Sequence, residues 1–324
     1  MSPLQLTFDV SERIKSGEAL SQTAWLFLPE QPVMAKAVLL CLPGGTYDKR
    51  YWHLEVPGHP GYSFAEHLTG QGYLVVALDH LAVGESSDPD ASGDLSLTLL
   101  ADGDAAVADQ VRARLREGTL ADGVPPLNLP MIGVGHSMGG CLTVMVQAQS
   151  RPYDAVVLLG YAVHFNTLNM DYPTDDPAVR ATQAEALFRT IYGVGPDVTS
   201  WMVDRDIAHQ VFHASDVPAE VIADDDAAVS RMPVRAGVET GIPGYIKQDA
   251  AAVDVPVFLA FGTVIDFSPG AHTEPANYAA SGDVTLYLVE GSAHCHNFST
   301  NRTVLWDRIG RWIPTVLPAT AKTT

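Results

Sequence analysis

Apolar residues in this chain form short continuous runs separated by longer amphipathic stretches. The runs, which we interpret as strands, occupy residues 5–10, 24–28, 37–42, 73–79, 130–135, 155–160, 255–261 and 284–289. Runs such as AVLLCL and YLVVAL do not alternate apolar with polar positions, which is typical of strands covered by helices on both faces. Amphipathic stretches predict helices at residues 62–69, 95–116, 138–150 and 303–316. The alternation therefore predicts an α/β protein with a mostly parallel central sheet.

The pattern changes between residues 163 and 254. Short helices are predicted there, for example at residues 177–192 and 201–213, and no convincing strand. The stretch is acidic and lies between two predicted strands of the core. We therefore expect residues 163–254 to form a helical cap, inserted into a core made by residues 1–162 and 255–324.

The charge balance disfavours several classes of function. The chain has 19 basic and 38 acidic residues, a net charge of −19, which argues against binding to nucleic-acid phosphates and to anionic membranes. Apolar residues make up 47% of the chain and charged residues 18%, so the chain can bury a substantial core. Three cysteines, Cys41, Cys141 and Cys295, do not form a disulfide framework and fit a reducing compartment.

The chain also lacks the patterns of membrane and secretory segments. Its first twenty residues have no basic start followed by an apolar stretch, as a secretory signal requires. No run approaches the roughly 20 apolar residues that a spanning helix needs. We therefore expect a soluble, cytoplasmic protein without membrane insertion.

Residues 130–140 read PMIGVGHSMGG and contain the candidate nucleophile. The element G-x-S-x-G, centred on Ser137, comes directly after a predicted strand and opens a predicted helix. So sharp a turn strains the backbone of the central residue and leaves no room for side chains at Gly135 and Gly139. It exposes the serine hydroxyl and places the Met138 N–H at a helix N-terminus, where it can stabilise an oxyanion. The alternative is a glycine-rich turn with an incidental serine.

With this motif the chain resembles the α/β-hydrolase superfamily over nearly its whole length. LCLPGGT at residues 40–46 follows an early strand, where that family places its oxyanion loop. ALDHLAVGESS at 77–87 is similar to the family's D-x-x-x-x-G-x-S segment after strand four. GSAHCHNF at 291–298 lies where the histidine loop follows the last strand. The resemblance implies an α/β-hydrolase fold with an inserted helical cap.

The resemblance also implies partners for the serine. A serine hydroxyl needs a base to take its proton, and the base needs an acid to orient it. In the family order of serine, acid and histidine, His294 and His296 both follow the last predicted strand. The position of His294 shortly after Gly291 favours it as the base, with His296 behind the base or facing the substrate. Asp266, just past the strand at 255–261, is the candidate acid; the alternative is a solvated turn aspartate.

The loop after the strand at 37–42 supplies the candidate oxyanion hole. Glycine allows close approach of the backbone to a substrate, and we expect the N–H of Gly45 to act with that of Met138. Thr46 is the alternative to Gly45, and a simple turn without this role is the other interpretation. Candidates for contact with the substrate are Thr46, Tyr47, His136 and His296.

A serine nucleophile favours acyl transfer through an acyl-enzyme. The expected activity is hydrolysis of a carboxylic ester or lactone of small to medium, mainly hydrophobic character. Two alternatives stay open: a C–C bond hydrolase or acyltransferase with the same triad, and a catalytically weak ligand receptor or scaffold. No cofactor is predicted, and no metal, because residues 294–296 have no second Cys/His pair at ligand spacing. The aspartates at 224–226 are expected in a solvated cap loop.

Overall fold

A computed structural model describes residues 2–89, 95–164, 171–172, 174–264, 266 and 270–317. The strands are β1 Leu4–Asp9, β2 Ser21–Phe27, β3 Val38–Leu42, β4 Leu74–Leu78, β5 Met131–His136, β6 Ala155–Leu159, β7 Ser200–Trp201, β8 Met232–Pro233, β9 Val257–Gly262 and β10 Val284–Val289. The helices are α1 Ser11–Ile14, α2 Phe64–Gly70, α3 Leu97–Glu117, α4 Met138–Ser150, α5 Pro177–Tyr192, α6 Arg205–Phe212, α7 Ala219–Ala227, α8 Val234–Thr240, α9 Lys247–Ala252 and α10 Arg302–Val316.

One mixed sheet carries the fold. In the described residues it has eight strands in the order β1-β2-β4-β3-β5-β6-β9-β10. β2 pairs antiparallel with both β1 and β4, and the pairs from β4 through β10 are parallel. The predicted α/β class and mostly parallel sheet are therefore confirmed. Because the parallel strands run the same way, their carboxyl ends lie along one edge of the sheet.

Both faces of this sheet are covered, as its continuous apolar runs predict. Leu40 and Leu42 of β3 pack into one apolar cluster together with α3 and α4. Leu39 and Cys41 of the same strand pack into a second cluster on the other face, which includes α2 and α10. Successive side chains of a strand point to opposite faces, so an uninterrupted apolar strand supplies both layers.

The inserted stretch is mainly helical, as predicted, with one difference. Its helix α5 has the bounds expected from the pattern, Pro177–Tyr192. The expected helix at 201–213 begins later, at Arg205, because Trp201 pairs with Met232 in the two-residue ladder of β7 and β8. Strands this short have no periodicity that a sequence pattern could reveal. The division of core and cap at residue 254 stays a prediction, with α9 packed on the core helix α4.

A buried carboxylate ties the loop after β4 to the loop after β3. Asp79 is fully buried and accepts hydrogen bonds from the backbone N–H groups of Lys49 (2.8 Å) and Glu85 (3.0 Å). The ammonium of Lys49 forms an ion pair with the same carboxylate. A Cβ at Gly84 would lie 2.4 Å from Asp79 Oδ2, so only glycine fits there. These contacts anchor the segment that leads out of the candidate oxyanion loop.

Among the described residues, no helix combines the length and the apolar character needed to cross a bilayer.

Candidate active site

Ser137 lies on the sharp turn that the motif predicts. β5 ends at His136, α4 begins at Met138, and Ser137 between them has φ 52° and ψ −120°. A Cβ at Gly139 would lie 2.1 Å from the carbonyl oxygen of Leu42, and one at Gly135 would lie 2.2 Å from that of Gly139. Both glycines are therefore required by packing, and the strained serine is held at the carboxyl end of β5.

Asp266 and His294 meet beside this turn. Nδ1 of His294 donates to Oδ1 of Asp266 at 3.0 Å, and both side chains are almost fully buried. His294 and Ser137 line the same cavity. Because Nδ1 contacts the carboxylate, Nε2 is the ring nitrogen that would act as a base in such an arrangement. The structure thus brings the three predicted catalytic residues, Ser137, Asp266 and His294, to one place.

Asp266 is held by more than its bond to His294. Its Oδ2 accepts from Nε2 of His296 at 3.2 Å and from the backbone N–H of Gly262 at 2.7 Å. Burial raises the pKa of this carboxyl, but the hydrogen bonds from His294 and His296 outweigh it and bring the pKa below its usual value. Asp266 is therefore ionised, as the partner of a catalytic histidine has to be.

Gly160 makes room for the His294 ring. It follows β6 with φ +62°, and a Cβ there would lie 3.0 Å from both Cε1 and Nδ1 of His294. Sequence reasoning missed this residue. The signal that could have found it is a glycine directly after a buried strand whose end meets the catalytic edge of the sheet.

His136, inside the motif, lies behind His294, the candidate base. Its Nε2 donates to the carbonyl oxygen of His294 at 2.9 Å, and its ring stacks on Tyr51 with centroids 4.4 Å apart. Burial, and then the neighbouring rings of His294 and His296, hold its pKa well below the usual value, so His136 is neutral. It supports the backbone of the histidine loop from the protein interior.

The candidate oxyanion loop lies against the serine turn. Gly45, Thr46 and Met138 all line the cavity, and Met138, as the first residue of α4, has no partner for its N–H within the helix. A Cβ at Gly44 would lie 3.1 Å from that of Ser137, which shows how closely the two loops approach. Thr46 has φ 73°, so the chain turns sharply away just after Gly45.

A buried histidine supports the start of this loop. His80 Nε2 donates to the carbonyl oxygen of Pro43 at 3.0 Å, and its Nδ1 lies 2.9 Å from Oδ2 of the fully buried Asp104. Burial lowers the pKa of His80, but the charge of Asp104 and the hydrogen bonds outweigh it, so the pKa is raised. The pair connects α3 to the backbone just before Gly44.

The cavity in front of the serine has a volume of about 260 Å³ and mostly apolar walls. The side formed by the inserted stretch, which we call the cap side, consists of Phe188, Tyr192, Trp201, Phe212 and Met232. Among its described lining residues Asp204 is the one carboxylate, and none is lysine or arginine. Such walls fit an uncharged, mainly hydrophobic ligand.

Of the four residues predicted to contact substrate, the structure places Thr46 on the cavity wall. His136 and His296 lie behind the Asp266–His294 pair, where they hold its backbone and its carboxylate. Tyr47 is buried next to the cavity, and its hydroxyl donates to Oδ2 of Asp225 at 3.0 Å. Their roles toward a substrate stay predictions.

The expectation for the aspartates at 224–226 is wrong. They lie in helix α7, and Asp225 is fully buried, where it accepts from Tyr47 and from Nε2 of His213 at 3.0 Å. The signal that could have found it is helical spacing: Asp225 follows the apolar Val221 by four residues and so shares its face. Three consecutive aspartates are typical of a solvated loop, so the helical spacing was not recognised.

Residues 294–296 do not converge on a common point. Cys295 is buried with its sulfur 3.4 Å from the Tyr47 hydroxyl, whereas the two histidines reach Asp266. Across the residues that the structure describes, no group of three or more His, Cys, Asp or Glu side chains is placed to hold a metal ion.

The fold and the serine turn define an α/β hydrolase. Residues 62–299, well over half of the chain, match the model of the family described as serine aminopeptidase, S33. The chain belongs to this hydrolase family. None of the curated proteins compared with it matches.

Solved structures share the fold at low sequence identity. A carboxyl esterase from Bacillus coagulans is 17% identical with a TM-score of 0.64, covering 98% of this chain and 99% of its own. A monoglyceride lipase from Saccharomyces cerevisiae is 14% identical with a TM-score of 0.69, covering 98% and 97%. An esterase from Thermogutta terrifontis is 14% identical with a TM-score of 0.65, covering 97% and 99%. These likenesses support the fold over the whole chain.

Proposed function

We propose that this protein is a serine hydrolase that cleaves a neutral, mainly hydrophobic carboxylic ester or lactone through an acyl-enzyme on Ser137. The observation that carries the proposal is the hydrogen bond between Asp266 and His294, 3.0 Å long, beside a strained serine in one cavity. A positioned acid, base and nucleophile at the mouth of an apolar pocket are the parts that acyl transfer requires.

Acylation follows from this arrangement. Nε2 of His294 takes the proton of Ser137 as Oγ attacks the carbonyl carbon, and the negative charge moves to the carbonyl oxygen. The N–H groups of Gly45 and Met138 donate to that oxyanion. When the tetrahedral intermediate collapses, the C–O bond to the leaving group breaks and His294 gives its proton to the departing alcohol. Asp266 stays ionised and stabilises the imidazolium.

Deacylation repeats the steps with water. His294 takes a proton from the water molecule as its oxygen attacks the acyl carbon. The bond to Ser137 then breaks, Oγ recovers the proton from His294, and the carboxylic acid leaves. Each step uses the same acid–base pair, so no cofactor is required. The same chemistry with another acceptor would be acyl transfer, and with a C–C bond it would be C–C hydrolysis.

The cavity favours uncharged esters over anionic acyl groups. With Asp204 on its wall and no lysine or arginine among its described lining residues, a carboxylate or phosphate on the substrate would lack a cation to pair with. The solved relatives described as a carboxyl esterase and a monoglyceride lipase act on substrates of this kind by name. A volume of about 260 Å³ suits a small to medium acyl chain.

Aminopeptidase activity, which the family description names, is the second candidate. An aminopeptidase has to bind the protonated amine of its substrate, and Asp204 is the carboxylate that the described cavity offers. Its Oδ1 already accepts from the backbone N–H of Asp206 at 3.0 Å, as the N-cap of α6. Because Asp204 already accepts this bond and the walls of the cavity are apolar, an ester substrate is favoured over a peptide with a charged amine.

The decisive experiment is covalent labelling. Wild-type protein is incubated with a fluorophosphonate, and the adduct is located by peptide mass spectrometry; Ser137→Ala, which keeps the fold, is the control. We expect a single adduct on Ser137 of the wild type and none in the variant. We also expect the wild type to hydrolyse p-nitrophenyl esters, and the kcat of the variant to be lower by about 10⁵-fold or more. Folded wild-type protein that neither labels nor hydrolyses esters would refute the proposal and favour a ligand receptor. Faster cleavage of aminoacyl p-nitroanilides than of esters would favour the aminopeptidase.

A further inference from the structure

One buried carboxylate in the cap contacts three of the elements that surround the cavity. Oδ2 of Asp225 accepts from the hydroxyl of Tyr47 and from Nε2 of His213, each at 3.0 Å, and forms an ion pair with Arg205. We call these four residues the Asp225 cluster. Asp225 has no exposed surface, and its Oδ1 has no hydrogen-bond partner among the described residues. The three donors therefore converge on a single oxygen atom.

The Tyr47 contact connects the cluster to the candidate oxyanion loop. Tyr47 lies two residues after Gly45, and a bridge between Tyr47 and Val229 continues the contact along the backbone. The N–H of Ser230 donates to the carbonyl oxygen of Thr46 at 2.7 Å. The loop that carries the Gly45 N–H is thus tied to the segment that follows α7.

Arg205 and His213 connect the cluster to the histidine loop. They flank helix α6, whose end pairs with that loop: the carbonyl oxygen of Val211 accepts from the N–H of His294 at 3.1 Å, and that of Phe212 accepts from Cys295 at 3.0 Å. The ring of Phe212 also lies on His294, with centroids 5.7 Å apart. The position of α6 therefore bears directly on the position of the base.

These connections fix the positions of the side chains that donate to the Asp225 carboxylate. An ionised carboxylate without access to water is stable only while its donors stay in place, and the donors come from separate segments of the chain. A displacement of the oxyanion loop or of α6 would remove a donor from a buried charge. The cluster therefore opposes independent movement of the two loops that flank Ser137.

We propose that Asp225 is a positioning residue that fixes the Gly45 loop and the His294 loop relative to each other, an inference that rests on the proposed function. It touches neither substrate nor reacting atoms, and it acts through Tyr47 on one loop and through α6 on the other. Displacements of about 1 Å in such loops cost on the order of 100-fold in rate, because the reacting groups no longer align.

The test compares Asp225→Asn with Asp224→Asn. Both remove one negative charge from α7, but Asp224 is partly exposed, and its side chain makes no hydrogen bond or ion pair to the described residues. Active sites are counted with the fluorophosphonate, and kcat is expressed per counted site. We expect Asp225→Asn to lower kcat by about 10- to 100-fold with little change in KM, and Asp224→Asn to stay within about twofold.

The count of active sites separates positioning from stability. A purely structural role would lower the melting temperature and the fraction of titratable sites but leave kcat per site at the wild-type value, which would overturn the proposal. Tyr47→Phe removes one hydroxyl donor and keeps the ring, so it decides the matter if Asp225→Asn does not fold. A drop of about fivefold or more in its kcat per site supports the proposal, and an unchanged value overturns it. Wild-type protein without labelling or turnover would refute the proposed function, and the positioning role with it.

Discussion

The two sides of the cavity are built in different ways. The core side consists of loops at the ends of β3, β5, β9 and β10, and close backbone contacts fix it: a Cβ at Gly139 would lie 2.1 Å from the Leu42 carbonyl oxygen. The cap side consists of short helices that contribute side chains such as Phe188, Trp201 and Phe212. Backbone therefore sets the catalytic geometry, whereas side-chain packing sets the shape of the pocket.

Each side also contains a buried carboxylate, and the two carboxylates differ in the groups that donate to them. On the core side Asp79 accepts from the backbone N–H of Lys49, in the loop after β3, and from that of Glu85, in the loop after β4, and it pairs with the Lys49 ammonium. On the cap side the donors to Asp225 among the described residues are the side chains of Tyr47, Arg205 and His213. Both carboxylates therefore join separate segments of the chain, Asp79 partly through backbone donors and Asp225 through side-chain donors. A backbone N–H cannot be removed by a simple substitution, whereas each of these donors to Asp225 can be.

The largest effect should come from the core side, at the two histidines of one loop. We expect His294→Ala to lower kcat by about 10⁴-fold or more, because the substitution removes the candidate base for Ser137. His296→Ala should lower it by about tenfold, because Asp266 keeps its bonds to His294 and to the Gly262 N–H. Steady-state kinetics on a p-nitrophenyl ester measures both. Exposed His272→Ala is the control, and a larger loss for His296→Ala than for His294→Ala would exchange their roles.

A smaller effect on kcat is expected from alanine substitution at one of two glycines that have the same φ. Gly160 on the core side and Gly193 at the end of α5 both have φ +62°, but only at Gly160 would a Cβ meet other atoms, the ring of His294 at 3.0 Å. Substitution by alanine should cost each about 1 kcal/mol of unfolding free energy, from the strained φ. Gly160→Ala should in addition lower kcat by about 10- to 100-fold, through displacement of His294.

Urea denaturation and kinetics on the same preparations test this pair. Gly193→Ala serves as the matched control, because it carries the strain without the contact. If both variants keep the wild-type kcat, the packing of Gly160 against His294 does not matter for catalysis. If both lose it equally, the strain alone accounts for the loss.

The core side could be predicted from the sequence because each of its candidate residues follows a strand that the local sequence reveals. Ser137, Asp266 and His294 each follow a strand that is recognisable by its apolar run, and parallel strands bring their carboxyl ends to one edge. The glycines around Ser137 are explained by the same turn. Gly160 was missed because its partner, 134 residues later in the chain, is a side chain and not a neighbouring backbone group.

The cap side could not be predicted to the same depth. The helix at Pro177–Tyr192 is long and was placed correctly, but α6 and α7 are short, and their packing decides which face is buried. Asp225 looks like part of a solvated acidic run until Tyr47, Arg205 and His213 are brought to it. The spacing from Val221 could have indicated that Asp225 is buried, but only the tertiary structure shows which donors reach it.

Substitution of Glu274, where the two sides of the cavity meet, is expected to have the smallest effect on activity. Its main effect is expected on the pH dependence of the unfolding free energy. Glu274, in the segment after β9, is buried and accepts from the N–H of Val163, at the start of the inserted stretch, at 2.8 Å. Burial raises the pKa of this carboxyl from 4.5 to about 7, although the hydrogen bond opposes the shift. The carboxyl is thus mostly protonated at slightly acidic pH and ionised in mild alkali.

The sign of the resulting pH dependence follows from this shift. A carboxyl with a higher pKa in the folded chain favours folding at low pH; the contribution is complete below about pH 4.5 and is lost as the pH rises through 7. Glu274→Gln keeps an acceptor for Val163 and cannot ionise, so it should gain up to about 3 kcal/mol of unfolding free energy over wild type between pH 5 and pH 8. Urea denaturation at both pH values measures the gain, with exposed Glu30→Gln as the control. A difference between Glu274→Gln and wild type that does not change with pH would mean that Glu274 does not titrate in this range.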